Sequence, residues 1–509
     1  MPFSRRVRIF AFVAAGIVVT LALAVGVFVY QLQPVALRFV RSALAERYNS
    51  QVELGDLHVS FFPRVQARGK DLILHFRGRR DLPPLVRVKQ FTMDAGLAGF
   101  FETPKRISHL RLEGVEIHVP PKAMRKSSAA PRKVPFVLEE VVADGTRLEV
   151  LPGDPGKDPL VFDIHELTMN SVGIGQAMKF HAKLENPKPP GLIHSDGEFG
   201  PWNEREPSDT KVSGKYTFRN ADLGVFHGIG GTLSSDGEYK GELDTIEVHG
   251  TTETPNFSLD TADRPMPLHT EFQATVDGTN GNTVLHPVKA RLGNSEFEVS
   301  GSIERNALEK HKTIQLQTKG RGAHIEDFLR LSIKSPKPPM VGTVGFESKV
   351  VIPPGETPVV TRLQLDGQCR LNGIRFTSAD VQGKIASLSH HAQGDPKSDD
   401  PNVTADFKGR FHLRDGQLAL PDLEFQVPGA DVKLAGKYAL QSGELDFEGT
   451  ARLDATVSEM TTGIKRVMLK PVDPLFRRDG AGAVLPIKIG GTRGQPSFKL
   501  DIGKALHLP

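Results

Sequence analysis

Apolar and polar residues alternate with a period of two through most of the chain. Between 445 and 457 the odd positions are Leu445, Phe447, Gly449, Ala451, Leu453, Ala455 and Val457, and the even positions are Asp446, Glu448, Thr450, Arg452, Asp454 and Thr456. A strand built this way turns one face to oil and the other to water. The same alternation places Val212, Gly214, Tyr216 and Phe218 against Lys211, Ser213, Lys215 and Thr217. It also places Phe297, Val299, Gly301 and Ile303 against Glu296, Glu298, Ser300 and Ser302, and it returns at Ile487 and Ile489 and at Phe498, Leu500 and Ile502. Asp-Gly pairs at 144–145, 236–237, 277–278, 366–367 and 415–416 separate the runs, as hairpins require. The pattern therefore predicts a mostly β chain.

Three strings share an apolar-x-Gly-x-apolar form: KVSGKYTF (211–218), EVSGSIER (298–305) and KLAGKYAL (433–440). They suggest a sheet grown by repetition, although any antiparallel sheet can yield such strings. Helical spacing is scarce. It predicts short helices over 323–333 and 458–468, the second with Met460, Ile464, Val467 and Met468 on one face against the end of the sheet. Segments 120–135, 353–358 and 391–402 read as exposed loops.

The first thirty residues have a different period. Arg5, Arg6 and Arg8 precede an uncharged run from Ile9 to Tyr30 that includes Phe12, Val18, Leu21, Val25 and Phe28. As a helix it would be about 33 Å long, enough for a hydrocarbon core of about 30 Å. A cleaved signal peptide ending at Ala22-Leu23-Ala24 is the competing reading, but the apolar run continues past that point, which favours an uncleaved anchor. The expected order is a cytoplasmic tail (1–8), a transmembrane helix (9–30) and a juxtamembrane helix (31–50) with Pro34 near its start. A repetitive β region (51–452) and a helix-plus-strand C-terminal region (453–509) follow. The arginines at the amino terminus put the bulk of the chain outside the inner membrane.

Composition narrows the class. The 509 residues are 39% hydrophobic with a net charge of +4, which excludes intrinsic disorder. Fifty glycines and 37 prolines imply many turns and short elements. The 64 basic and 60 acidic residues are nearly balanced, against a nucleic-acid partner. The single cysteine, Cys369, forms no disulfide within the chain and reads as a small residue packed in a strand.

Motifs of catalysis are missing from the sequence. There is no GxSxG elbow, HExxH pair or CxxC. GADVKLAGK (429–437) differs from a phosphate loop in the spacing of its glycines and in having Tyr438 where Ser or Thr would hold magnesium. GIGG (228–231) lacks the third glycine of a dinucleotide turn, and His390-His391 have no carboxylates nearby in sequence. The expectation is a protein that is not an enzyme and uses neither cofactor nor metal.

The order of the parts resembles the AsmA family of bacterial envelope proteins, relatives of the larger TamB and YhdP proteins. The likeness covers essentially the whole chain. It begins with the anchor and LGDLHVSFFPRVQARGKDLIL (54–74), and continues through ISHLRLEGVEIHV (107–119) and ADGTRLEVLPGDPGKDPLVFDIHELTMNS (143–171). The C-terminal segment 453–506, with two helices broken by proline and a closing G-T-x-x-x-P strand pair, is its most specific part.

The resemblance implies a long curled antiparallel sheet, like a taco or half-pipe, anchored in the inner membrane and filling periplasmic space. Its apolar groove would carry phospholipid acyl chains and support outer-membrane lipid homeostasis. The alternative is a regulator or assembly factor for the targeting of outer-membrane proteins, acting through protein–protein contacts. The residues expected to line the groove are Tyr216, Phe218, Phe297, Val299, Ile303, Leu445, Phe447, Leu453, Ile487, Ile489, Phe498 and Leu500. On this reading, Phe447→Asp and Leu453→Arg should strip lipid from a conduit but cost an assembly factor only stability.

Overall fold

A computed structural model describes residues 52–60, 64–75, 80–96, 105–119, 136–151, 160–172, 176–201, 206–262, 264–305, 312–355, 357–461, 468–476, 480 and 482–500. The described residues are mostly β, 66% of them in strands, forming an open mixed sheet with few helices. The expected anchor and juxtamembrane helix lie outside the described residues. Among those that are described, no helix is long and apolar enough to cross a membrane. The chain divides into two compact units, residues 1–218 with 238–246, and residues 219–237 with 247–509.

The first unit contains β1 (Val52–Glu53), β2 (Leu57–Ser60), β3 (Val65–Leu74), β4 (Val86–Ala95), β5 (Lys105–Val119), β6 (Phe136–Val150), β7 (Leu160–Val172), β8 (Met178–Pro187) and β9 (Pro190–Phe199). β1 and β2 both pair with β3, and antiparallel ladders then join β3 to β4, β4 to β5, and each of β6 to β9 to the next. One ladder departs from the expected antiparallel sheet: β5 and β6 run parallel, in register from Lys105↔Phe136 to Val119↔Val150. A parallel pair needs a crossover of a dozen or more residues. Segment 120–135 has that length, whereas a hairpin turn would have reversed the chain. Alternation decides which face is buried but not strand direction, so the sequence pattern could not distinguish the two. Leu57, Ala67, Val88, Phe91, Val115 and Ala143 form this unit's core.

The strands β10 (Lys211–Asp222), β11 (Ile229–Gly230), β12 (Thr232–Glu242) and β13 (Thr245–Leu259) come next. The second unit then runs as β14 (Met266–Val276), β15 (Thr283–Leu292), β16 (Ser295–Glu304), β17 (Thr313–His324), β18 (Met340–Ile352), β19 (Gln364–Phe376), β20 (Ala405–Arg414), β21 (Gln417–Val427), β22 (Ala430–Ala439), β23 (Leu445–Leu453), β24 (Ala483–Thr492) and β25 (Gln495–Leu500). From β14 to β25 every strand pairs antiparallel with the next in sequence.

Strand direction gives this meander two different ends. The helices α1 (Ile325–Ser332) and α3 (Ala379–Ala392) follow β17 and β19, and the long 454–482 connection follows β23, all at one end. At the other end, β20 joins β21 through Asp415 and Gly416, β24 joins β25 through Arg493 and Gly494, and the single helical turn α2 (Val359–Arg362) lies between β18 and β19. Burial follows the same polarity. At the helical end Ala323, Val344, Ile374, Ala405, Val432 and Leu453 are buried, and α3 closes over the last three with Ala386 and Ala392.

The predicted helix over 323–333 is α1. Its Phe328 ring lies 5.8 Å from Phe297 and 5.4 Å from Phe346. Asp327, 1% exposed, fixes the helix to the β15–β16 turn by accepting from the Asn294 backbone N–H (3.0 Å) and the Ser295 hydroxyl (2.9 Å). The predicted helix over 458–468 is described only at its ends, where 458–461 are turn and bend and Met468 is helical. Residues 457–460 form a turn held by Asp473, which accepts from both the backbone N–H and the hydroxyl of Ser458, and residues 462–467 lie outside the described residues. Helix α3, absent from the sequence-based expectation, ends two residues into the segment 391–402, whose remainder is turn and loop as read. Its buried side is made largely of Ala386, Ser389 and Ala392, too small to give a helical hydrophobic stripe.

Candidate functional site

In-register pairing sorts the alternating residues of the second unit into rows that cross the strands. One row runs Ala274–Leu285–Gly301–Leu316–Val350 across β14 to β18. It continues Leu365–Leu413–Leu418–Tyr438–Leu445 across β19 to β23. Ten strands at about 4.8 Å make it about 43 Å long. The row lies toward the end with few helices, and apart from the buried Ala274 and Leu413 its members are only half-buried. Leu440, two residues beyond Tyr438, is 37% exposed. Half-burial is what an apolar sheet face shows when its own neighbours are its main cover and no second layer lies over it.

The expected groove residues fall into several environments. Leu445 terminates the row. Ile303, at the same end of the sheet, pairs with Ile314, which pairs with Ile352, and all three are half-buried. Val299 belongs to the adjacent row Val288–Val299–Thr318–Ser348, where the Thr318 and Ser348 hydroxyls hydrogen-bond at 2.7 Å, so the apolar face has a polar break. Phe297 packs under α1. Phe447 (7% exposed) and Leu453 (3%) are core residues of the cluster beneath α3, with Ile487 and Ile489 half-buried against it. Phe498 and Leu500 stand in register with Ile489 and Ile487, but their side chains lie outside the description. Tyr216 and Phe218 belong to the first unit, where Tyr216 stacks at 6.5 Å on Tyr239. Because Phe447 and Leu453 are buried, Phe447→Asp and Leu453→Arg would test folding rather than a surface.

Leu316, Val350, Leu365, Leu413 and Leu418 were missed, although TIQLQTK (313–319), ESKVVI (347–352) and QLDGQCRL (364–371) all carry the period-two signal. Register, which the sequence does not state, brings them into one line.

Several strand glycines also acquire a role, although of the three in the repeated strings only Gly436 shares it. Gly69, Gly197, Gly320, Gly367 and Gly436 each stand opposite a phenylalanine of the neighbouring strand: Phe91, Phe180, Phe346, Phe411 and Phe447 respectively. A methyl group on these glycines would lie 2.3, 3.1, 2.4, 2.7 and 2.6 Å from the facing ring. Each ring therefore folds over bare backbone, a cross-strand cover for a residue that otherwise weakens a strand.

The opposite face is charged. Glu271–Lys289–Glu298–Lys319–Glu347–Gln368–Arg410 stand in register across β14 to β20. Lys319 reaches Glu347 at 2.6 Å, Arg410 reaches Asp422 at 2.6 Å and Lys408 reaches Glu424 at 2.7 Å. These hydrogen bonds hold the carboxyls below their usual range: Glu347 through Lys319, Asp422 through the Arg410 backbone N–H and guanidinium, and Glu424 through Lys408. Asp366 is lowered likewise by Arg414 and His412.

His390 and His391 end α3, and their Nδ1 atoms face the carbonyls of Ser398 (2.9 Å) and Ser387 (2.7 Å). Cys369 is half-buried in β19, and burial pushes its thiol pKa up. GADVKLAGK forms the β21–β22 turn and most of β22, a strand rather than a phosphate loop. No protein-family model, curated protein or solved structure matches the chain.

Proposed function

We propose that the chain is an AsmA-like cell-envelope protein, held in a bacterial inner membrane by residues 9–30, with its bulk in the periplasm. There it carries phospholipid acyl chains along the apolar row of the second unit and so supports outer-membrane lipid homeostasis. The observation that carries this reading is the half-exposed row across ten strands, backed by a charged face. Burying one methylene of an acyl chain there recovers about 0.8 kcal/mol. A uniform row lets a chain slide without a strong local site, in keeping with a sequence that announces no catalytic constellation. The curl of the sheet into a groove belongs to this proposal.

Site-specific photocrosslinking in the full chain, in membranes, tests it. A benzophenone side chain at Leu316 or Leu365 should form phospholipid adducts, and one at Lys319 or Gln368, on the charged face, should not. Equal adducts from both faces, or none from the row, would sink the proposal. Protein adducts from the row in place of lipid would move the assignment to the assembly-factor reading.

A further inference from the structure

The charged face alternates in sign along the row from Glu271 to Glu347, and it breaks alternation where β19 meets β20. Arg370 of β19 stands directly opposite Lys408 of β20, two cations in register. Like charges in that position destabilise a sheet unless something intervenes. Lys408 has Glu424 on its far side. On the far side of Arg370, where an acid would continue the pattern, β18 has Gly345. A side chain there would meet little, since the nearest atom to an added methyl is the Gly320 carbonyl at 3.7 Å. Beyond Gly345, the irregularity in β17 between Gly320 and Ala323 brings in Arg321. Arg321 and Arg370 therefore flank an empty glycine position, two strand spacings apart, or about 10 Å between backbones.

Both arginines are exposed, and neither forms an ion pair or a side-chain hydrogen bond among the described residues. Arg321 is near enough to lower Glu347 electrostatically, but Glu347 is already held by Lys319. Gly345, Arg321 and Arg370 line one open depression of 690 Å³. Arg370 alternates with Cys369 and Leu371, so it points away from the apolar face. A headgroup whose chains lie on the row is thus not what it would hold.

We infer that this depression binds a phosphate group, which takes the place of the carboxylate missing at position 345. Two guanidiniums lining one depression from strands on either side of Gly345 suit the planar, bidentate recognition of phosphate oxygens. The phosphate could belong to a soluble phosphomonoester or to the headgroup of a separate lipid surface, and the test distinguishes them.

The full chain is titrated with glycerol phosphate at low salt by calorimetry and, separately, floated with vesicles containing phosphatidylglycerol. Saturable single-site binding of glycerol phosphate without flotation assigns a soluble ligand. Flotation that is lost in the variants assigns a headgroup, and either result supports the site. Gly345→Glu supplies the missing acid internally and should lower affinity about tenfold or more without loss of folded signal, as should Arg321→Gln with Arg370→Gln. Arg375→Gln, an exposed arginine of β19 outside this depression, should leave affinity unchanged. The inference fails if neither probe binds, if Gly345→Glu binds as well as the parent, or if Arg375→Gln weakens binding equally.

Discussion

Leu445 and Phe447 are two residues apart on one face of β23, yet their truncation should have very different consequences. Phe447 is 7% exposed, lies over Gly436 and belongs to the cluster closed by α3. Phe447→Ala should cost about 3–5 kcal/mol, the range for a large side chain removed from a packed core. Leu445 is half-buried at the end of the open row. About half of its transfer free energy is gained in the folded state, so Leu445→Ala should cost roughly 1 kcal/mol. The two differ by at least about 2 kcal/mol, or roughly thirtyfold in an opening equilibrium. Hydrogen–deuterium exchange of the full chain, read from β22–β24 peptides, reports local opening without requiring two-state unfolding of both units. Equal costs at the two positions would mean that the row is packed as tightly as the core, and the open-face reasoning would fall.

Other consequences are as specific. Asp327→Ala removes the acceptor for the Asn294 N–H and the Ser295 hydroxyl, and should cost about 1–3 kcal/mol, with faster proteolysis at the β15–β16 turn. A small effect would mean that other groups hold α1. Gly320→Ala pushes a methyl group against the Phe346 ring and should cost about 1–3 kcal/mol, largely relieved by adding Phe346→Ala; a double-mutant cycle with no coupling would refute the ring-over-glycine account. The lowered carboxyls Glu347, Asp366, Asp422 and Glu424 bind fewer protons folded than unfolded, so their contribution is present above the ordinary carboxylate pKa of about 4 and is lost as pH falls through the lower folded values. Urea midpoints should hold from neutral pH down to that range and then fall, less steeply in 1 M salt. A fall centred above pH 6 would point to histidines instead.

Much of the architecture could be read from residue order because alternation is a local signal. The Asp-Gly pairs were a poorer guide: 277–278 and 415–416 lie between strands, but 144–145, 236–237 and 366–367 lie inside β6, β12 and β19. Leu445–Leu453 and Phe297–Ile303 became strands for the reason their spacing implied, while the alternation running on to Val457 passes out of β23 into a bend and turn. The parallel β5–β6 pair was not legible, since a crossover and an untied loop look alike in sequence. Helix α3 was hidden by its small residues, and the turn at 457–460 by the Ser458–Asp473 contact, which joins residues fifteen apart. The candidate face was half legible. Period two correctly puts Leu445, Phe447 and Leu453 on one side of β23, but their position along the strand decides whether the surroundings are solvent or α3. That position is set by the long connections, which are not periodic.

Placement of those connections bears directly on the proposed role. In a meander, connections alternate between the two ends, and here α1, α3 and the 454–482 segment all emerge at the same one. Their side chains supply the third dimension that a single sheet lacks, so Val432, Leu453 and Ala483 are buried while Leu316, Leu365 and Leu445 are not. Had the helices been divided between the ends, both would be capped and the row would be core. Concentrated at one end, they fix that end as the rigid part of the unit and leave a strip about 43 Å long and roughly 10 Å wide, some 400 Å², within the size range in which an exposed apolar patch on a soluble protein is often functional. An acyl chain laid across the strands, parallel to the row, would cover such a strip without displacing either helix, which is the geometry the crosslinking positions Leu316 and Leu365 are chosen to catch.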